Sequence, residues 1–307
     1  MDDAVQRVRN ELRVRGLKHV RPHFYLADEW LSPDGVPGVG IPFFLAHPRL
    51  MKLERKLMYE VEGATMGQCM RLLRHEVGHA VHHAYHLQRR RRWQQLFGLS
   101  STPYPESYTP RPKSKRFVVH LDGWYAQSHP DEDFAETFAV WLDPRSAWRR
   151  RYANWPALEK LEYVDAIMAE VGDERPVVKS KARPYAVKSI RQTLGDYYET
   201  RRQHYSVGGD TEWDRDLREL FDAGPGARSE PAAAFLRRHR KEIREIVARW
   251  TGEYMIAVDL LLKEMIARTR DLKLRTVNSQ RKKYEFMIML TKNSMSYVYK
   301  GKDRRAV

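Results

Sequence analysis

Residues 65–92 read TMGQCMRLLRHEVGHAVHHAYHLQRRRR, and this stretch predicts the main helix of the first half of the chain. Thr65 and Gln68 have the spacing of a capping box, in which the side chain of each residue accepts the backbone N–H of the other. Proline is absent from the stretch, and Gly67 and Gly78 are its only helix-weakening residues. We therefore predict one helix over residues 65–92.

The middle of this stretch carries the HExxH motif, as HEVGH at residues 75–79. Helical positions i and i+4 share a face, so the imidazoles of His75 and His79 can point at one metal ion. Glu76 lies one residue along, where its carboxylate can reach a water molecule rather than the ion. His83, four residues after His79, is the other nitrogen on this face that could compete as a ligand. The pattern predicts a metal site on the helix.

A third ligand has to come from elsewhere, because catalytic zinc sites usually have three protein ligands and one open position. The best source is residues 125–138, YAQSHPDEDFAETF. A helix is predicted over residues 130–141, with proline in its favoured first turn. Glu132 and Glu136 share one face of it, and a divalent cation would relieve their repulsion. The alternative is a solvated face whose acidic N-terminus complements the helix dipole.

These motifs together resemble a known family. HExxH followed about 50 residues later by Tyr-x6-Glu-x-Phe-Ala resembles the gluzincin metallopeptidases of the lethal-factor and Mlc-titration-factor group. A closer resemblance is to bacterial zinc-binding metallopeptidases that carry the string DFAETF, here residues 133–138. The similarity extends to DGVPG at 34–38 and PFFLAHP at 42–48, and it covers about residues 20–170.

This resemblance implies a zinc-dependent peptidase that binds one Zn²⁺ per chain and hydrolyses protein or peptide substrates. It implies an α+β, zincin-like fold with an active-site helix and a small sheet. His75 and His79 would be the first two zinc ligands and Glu132 the third. One departure is Asp133, where lethal-factor-type enzymes have an aromatic residue, so Asp133 is the alternative third ligand. We favour Glu132 because it shares a helix face with Glu136.

The resemblance also implies the remaining roles in the site. Glu76 would be the general base and proton shuttle. Tyr125, seven residues before Glu132, matches the tyrosine that donates a hydrogen bond to the developing oxyanion. Glu136 would hold a ligand histidine by its other ring nitrogen.

Outside the motifs, the chain predicts short strands and then helices, without the strand–helix alternation of a parallel sheet, which indicates an α+β fold. Further helices are predicted over residues 2–15, 189–204, 212–222 and 231–271, short strands over 23–26, 41–45 and 117–121, and a hairpin over 284–299. Residues 53–61 fit either a strand or a helix. Residues 98–116, with four prolines, predict a long exposed loop, and such loops are usually functional or mobile.

Composition excludes several classes of protein. With 307 residues, of which 42% are hydrophobic, the chain can bury a core and is not a disordered protein. The single cysteine, Cys69, excludes an internal disulfide and a thiolate zinc cluster. No apolar run approaches the length of a membrane span, and the first 30 residues lack the apolar segment of a signal peptide. We therefore expect a reducing, cytoplasmic location.

The net charge of +15 is concentrated in the C-terminal part of the chain. Residues 1–174 hold 25 Lys and Arg against 23 Asp and Glu, whereas residues 175–307 hold 30 against 17. We therefore predict a peptidase domain over 1–174 and a basic, mainly helical region over 175–307, with an anionic partner such as nucleic acid or an acidic protein. The alternative is an ordinary solvated helical surface.

This charge also supports a rival function, a protein that binds nucleic acid or an anionic surface and whose zinc site is structural or vestigial. Aromatic residues that could stack on bases are interspersed in the basic region: Tyr197, Tyr198, Trp213, Trp250 and Tyr254.

Overall fold

Helices dominate the computed structural model, which describes residues 1–105, 108–205, 213–221 and 229–299. The helices of the described residues are α1 (Asp2–Val14), α2 (Pro48–Met58), α3 (Met66–Tyr85), α4 (Arg91–Phe97), α5 (Pro130–Leu142), α6 (Trp148–Arg151), α7 (Ala157–Val171), α8 (Leu194–His204), α9 (Asp214–Phe221), α10 (Ala232–Thr251), α11 (Met255–Asp271) and α12 (Gln280–Tyr299). Within those described ranges, no helix combines the length and the apolar character that a membrane span requires.

Two small two-stranded sheets complete the regular structure of the described residues. β1 (His23–Ala27) pairs in parallel with β2 (Gly38–Pro42), and β3 (Ser229–Pro231) pairs antiparallel with β4 (Arg275–Val277). The fold is therefore mainly helical with a minor β component.

The other side of β1 is covered by residues 182–186. Ala27 forms an antiparallel bridge with Ala186, and the Tyr25 hydroxyl donates to the Pro184 carbonyl at 3.0 Å. Further along the strand, His23 Nε2 lies 2.8 Å from the carbonyl oxygen of Ala182. The segment that follows α7 therefore packs against β1 through one backbone bridge and two side-chain contacts.

The chain divides into two compact units. The first comprises Met1–Arg55 and Val61–Arg191, and the second comprises Lys56–Glu60 and the described residues from Gln192 onward. The first unit contains the HExxH helix α3, and most of the basic region lies in the second.

The core of the first unit is built on the crossing of α3 and α5. Thr65 caps α3 through the predicted capping box with Gln68. At the crossing, a Cβ on Gly78 would lie 3.0 Å from Ala135 Cα and 3.2 Å from the Phe138 ring. A Cβ here would require its neighbours to shift by a few tenths of an ångström, so the HExxH segment of α3 lies directly against the backbone of α5.

The second unit packs α9, α10, α11 and α12 around one apolar core. Its fully buried members include Leu217, Phe221, Phe235, Leu236, Leu262 and Phe286. Asp259 of α11 is fully buried and accepts hydrogen bonds from Arg240 and Arg244 of α10. Burial alone would raise the pKa of Asp259, but these guanidinium groups lower it. The carboxylate therefore joins α10 to α11 as a buried ion pair.

Several predicted elements differ from the observed ones. The hairpin predicted over residues 284–299 is wrong, because these residues belong to α12. The buried side chains there are Lys283, Phe286, Met287, Leu290 and Ser294, whose spacing of three and four is helical rather than alternating. The strand predicted over 117–121 is also absent, since these residues, all described, lie outside both sheets.

Other predictions were right in type but wrong in extent. The helix predicted over 65–92 ends at Tyr85, because His86 adopts a left-handed conformation with φ of 49°. The single helix predicted over 231–271 is divided at Gly252, which has φ of 74°. The ambiguous stretch 53–61 is largely helical and belongs to α2. In each case a local backbone reversal, invisible in the hydrophobic pattern, sets the end of the element.

Candidate metal centre

α3 presents the two histidines of the motif on one buried face. His75 and His79 are both almost fully buried, and their Nε2 atoms lie 3.2 Å apart. The capped and uninterrupted helix brings them together, because residues four apart stack one turn above the other. The sequence pattern alone was enough to predict this pair of nitrogens.

α5 adds a carboxylate to the same point. Glu132 Oε2 lies 3.0 Å from His75 Nε2 and 3.2 Å from His79 Nε2. The alternative ligand, Asp133, instead forms a buried ion pair with Lys160. Burial raises the pKa of Asp133 to about 7, against the opposing effect of Lys160. The structure therefore brings Glu132, and not Asp133, to the two histidines.

The three atoms fit a zinc ion in both spacing and chemistry. Two atoms bound at zinc's usual distances in a tetrahedral site lie roughly 3.3 Å apart, close to the spacing found here. Two imidazole nitrogens and one carboxylate oxygen are also the donor set of many catalytic zinc sites. Among the described residues, His75, His79 and Glu132 are the group of this kind that could hold a metal ion.

Glu136, one turn after Glu132, determines how His75 is oriented. Its Oε1 lies 2.9 Å from His75 Nδ1, and its Oε2 accepts the Leu121 backbone N–H at 2.8 Å. With Nδ1 held by Glu136, His75 directs Nε2 at Glu132 and His79. Burial works against a positive charge on His75, but its hydrogen bonds to Glu132 and Glu136 raise its pKa. The surrounding carboxylates thus favour positive charge at this point, as they would favour a divalent cation.

Glu76 is buried beside the triad without belonging to it. Burial raises the pKa of its carboxyl group, while His75 and His79 act in the opposite direction. The nearby carboxylates of Glu132 and Glu29 raise the pKa further. A carboxyl group whose pKa is moved toward neutrality is suited to exchange protons with a substrate or a water.

Tyr125 enters the site from the short helical segment before α5. The preceding residue, Trp124, has φ of 55°, an uncommon conformation for a non-glycine residue, and it turns the chain sharply. The Tyr125 ring centroid lies 5.6 Å from that of His75. Burial raises the pKa of Tyr125 well above its ordinary value, and Glu132 and Glu76 raise it further. Tyr125 therefore keeps its proton and can donate it in a hydrogen bond.

Tyr104 also reaches the site, and the sequence analysis did not identify it. Its hydroxyl donates to Glu132 Oε1 at 3.0 Å, and its ring stacks on His129 at a centroid distance of 3.7 Å. Tyr104 lies in the proline-rich loop 98–116, which had been predicted as a long exposed loop. The only feature of the sequence that pointed to Tyr104 was the length of the loop that contains it. Tyr104 and Glu132 lie 28 residues apart, too far for a local pattern to connect them.

His83 does not join the triad. It is buried on α3 with its ring stacked on His82, and its Nε2 lies 3.8 Å from Asp34 Oδ1. Burial, together with His79, lowers the pKa of His83 to about 4. His83 is therefore a neutral member of the core behind the site.

Comparison with known proteins agrees with this geometry. No curated protein and no solved structure matches the chain. Residues 51–165, which include the HExxH helix, Tyr125 and both glutamates of α5, match the family model described as “Putative zinc-binding metallo-peptidase”. Over this central segment, the chain is similar to a zinc-binding metallopeptidase family.

Proposed function

We propose that the protein is a zinc-dependent peptidase of zincin-like fold that hydrolyses peptide bonds in protein or peptide substrates. The observation that carries the proposal is the buried triad of His75, His79 and Glu132, whose three ligand atoms lie 3.0–3.2 Å apart. The similarity of residues 51–165 to a metallopeptidase family supports it. When bound, zinc makes water more acidic and polarises a carbonyl group.

In this proposal, Glu76 moves the proton. Its carboxylate takes a proton from the attacking water and returns it to the nitrogen of the leaving amine. The raised pKa of Glu76, caused first by burial, supports this role, because it makes the carboxylate a stronger base than an exposed one. Glu136 fixes the tautomer of His75 through Nδ1, so that Nε2 remains a ligand.

Tyr125 stabilises charge on the substrate in the same scheme. Its hydroxyl would donate to the oxyanion that forms when water adds to the carbonyl carbon. Two features support this role: the ring lies beside His75, and its environment keeps the hydroxyl protonated. The phenol therefore acts as a donor only and needs no proton transfer of its own.

The experiment separates binding from catalysis with two variants. Purified wild type should contain about one zinc per chain and cleave members of a peptide library. Glu76→Gln should keep its zinc and lose cleavage by about 10²-fold or more, because the proton-transfer group is gone. Glu132→Ala should lose zinc, because one of three ligands is removed. Elemental mass spectrometry and product analysis measure both quantities on the same samples.

Each arm can also contradict the proposal. Full cleavage by Glu76→Gln would exclude the assigned proton shuttle. Unchanged zinc content in Glu132→Ala would exclude the assigned third ligand. If the wild type takes up no zinc, even when zinc is added, the proposed zinc-dependent peptidase is excluded.

A second candidate function concerns the second unit. On α10, Arg237, Lys241 and Arg249 are exposed, and Trp250 is 78% exposed. Arg249 adjoins this indole in the chain, and exposed cations and an exposed indole on one helix suit contact with phosphates and bases. We propose that this surface binds nucleic acid, either as the main function of the protein or to recruit the peptidase.

A further inference from the structure

The loop of residues 98–116 is attached to the N-terminal turn of α5. The Ser100 hydroxyl donates to Asp131 Oδ2 at 2.8 Å. His129 connects the same two elements, because its Nδ1 accepts the Asp131 backbone N–H and its Nε2 lies 2.7 Å from the Thr102 carbonyl oxygen. This part of the loop is therefore held against the helix that carries Glu132.

Tyr104 lies on this attached part of the loop, and its ring and its hydroxyl have different surroundings. Its ring is stacked nearly parallel on His129, with 15° between the planes, and the residue is 43% exposed. Its hydroxyl instead points inward and donates to Glu132 Oε1 at 3.0 Å.

The two oxygens of Glu132 consequently have different partners. Oε2 faces the two histidine nitrogens at 3.0 and 3.2 Å, whereas Oε1 accepts the hydroxyl of Tyr104. A carboxylate can bind a metal through one oxygen or through both. The hydrogen bond from Tyr104 competes with any metal for Oε1.

We infer that Tyr104 is a positioning residue that makes Glu132 a one-oxygen ligand. The inference rests on the proposed zinc site. Its consequence is that the fourth position of the ion stays available for water or substrate, as catalytic zinc sites require. Without the hydroxyl, Oε1 could turn to the ion and bind beside the water as a fifth ligand.

Cobalt provides a readout that does not depend on cleavage. Co²⁺ replaces Zn²⁺ in many such sites, and its visible absorption weakens when a fifth ligand joins a tetrahedral ion. We expect Tyr104→Phe to bind one Co²⁺ per chain but to absorb more weakly than the wild type. With zinc bound, kcat should fall by about tenfold or more, the usual effect of losing a partner of a metal ligand.

Tyr108→Phe is the matched control. Its hydroxyl belongs to the same loop and donates to the Gly123 carbonyl at 2.9 Å. The substitution removes a phenol hydroxyl and its hydrogen bond to the Gly123 carbonyl while leaving the bond between Tyr104 and Glu132 in place. We expect its cobalt spectrum to match that of the wild type, and thermal unfolding should show that both variants are folded.

The outcomes distinguish failure of this inference from failure of the proposed function. If wild type binds cobalt and Tyr104→Phe gives the same spectrum, the positioning role is excluded while the metal site stands. If Tyr108→Phe weakens the absorption as much as Tyr104→Phe, general loosening of the loop explains the effect and the inference fails. If wild type binds neither cobalt nor zinc, the proposed function fails and takes this inference with it.

Discussion

The histidines of α3 have different surroundings and therefore different chemistry. His75 is held between two carboxylates, which favour its positive charge. His83, two turns further along, is buried against His82, and its pKa is lowered to about 4, chiefly by burial. Residues of one type within a single helix thus divide into candidate ligands and neutral core residues.

This difference predicts a loss of stability in acid. In the unfolded chain His83 has an ordinary pKa near 6.5, so between about pH 6.5 and 4 the unfolded state binds a proton that the folded state does not. Stability should therefore fall as the pH falls through this window, by about 3 kcal/mol in total at about 1.4 kcal/mol per unit. Denaturant unfolding of wild type and His83→Leu at several pH values measures this contribution.

His83→Leu should show a smaller loss of stability between pH 6.5 and 4 than the wild type does. The control is His19→Leu, which removes a histidine at an exposed position. Parallel stability curves for wild type and His83→Leu would show that His83 is not a source of the acid sensitivity.

At the level of elements, the crossing of α3 and α5 sets the distance between the ligands. The histidines lie on α3 and Glu132 lies on α5, and Gly78 allows the two backbones to meet. Two of the three nearest atoms belong to the Ala135 backbone, which cannot rotate away as a side chain would, and the third belongs to the Phe138 ring. A small change at this crossing therefore changes the metal site directly.

Gly78→Ala should weaken both zinc binding and stability. The added methyl group forces the helices apart, and overpacking of this kind costs about 1–3 kcal/mol. The control is Gly67→Ala in the exposed first turn of α3, where a Cβ meets nothing within 4 Å. That variant should keep its zinc and gain up to about 1 kcal/mol from helix propensity. Zinc titration and thermal unfolding test both, and equal behaviour of the two variants would contradict the argument.

Local sequence patterns were sufficient to predict the two helices of the site, but not the contribution of the loop that carries Tyr104. The capping box of Thr65 and the four-residue spacing of the histidines are short-range features, so α3 could be predicted from the sequence. Tyr104 could not be predicted, because its hydrogen bond to Glu132 depends on how an irregular loop crosses α5. The incorrect hairpin over residues 284–299 has a related cause, since the helical face of α12 becomes recognisable only from its packing against α10.

For the whole molecule, the uneven charge is the most distinctive property. Of the net charge of +15, +13 comes from residues 175–307. Some of the cations of this region are held in buried ion pairs, since Asp259 pairs with Arg240 and Arg244. The exposed cations of α10 carry the proposed nucleic-acid contact, so binding should depend on salt.

We expect the affinity of the full chain for a DNA duplex to fall steeply as salt is added. Each phosphate contact contributes about −0.9 to the slope of log K against log salt, so Arg237→Gln combined with Lys241→Gln should reduce the slope by about 2. The control, Arg7→Gln with Arg21→Gln, removes the same charge from exposed positions of the first unit. Absence of binding at low salt, or equal slopes in the two double variants, would exclude this surface.

The cover that residues 182–186 place over β1 matters for anyone who shortens the chain. A strand with a bare edge is a template for pairing with other molecules. A fragment that stops before this segment would lose the bridge at Ala186 and the contacts at Ala182 and Pro184. If such a fragment is poorly soluble, the exposed edge of β1 explains it. The result would then carry no information about the chemistry of the metal centre.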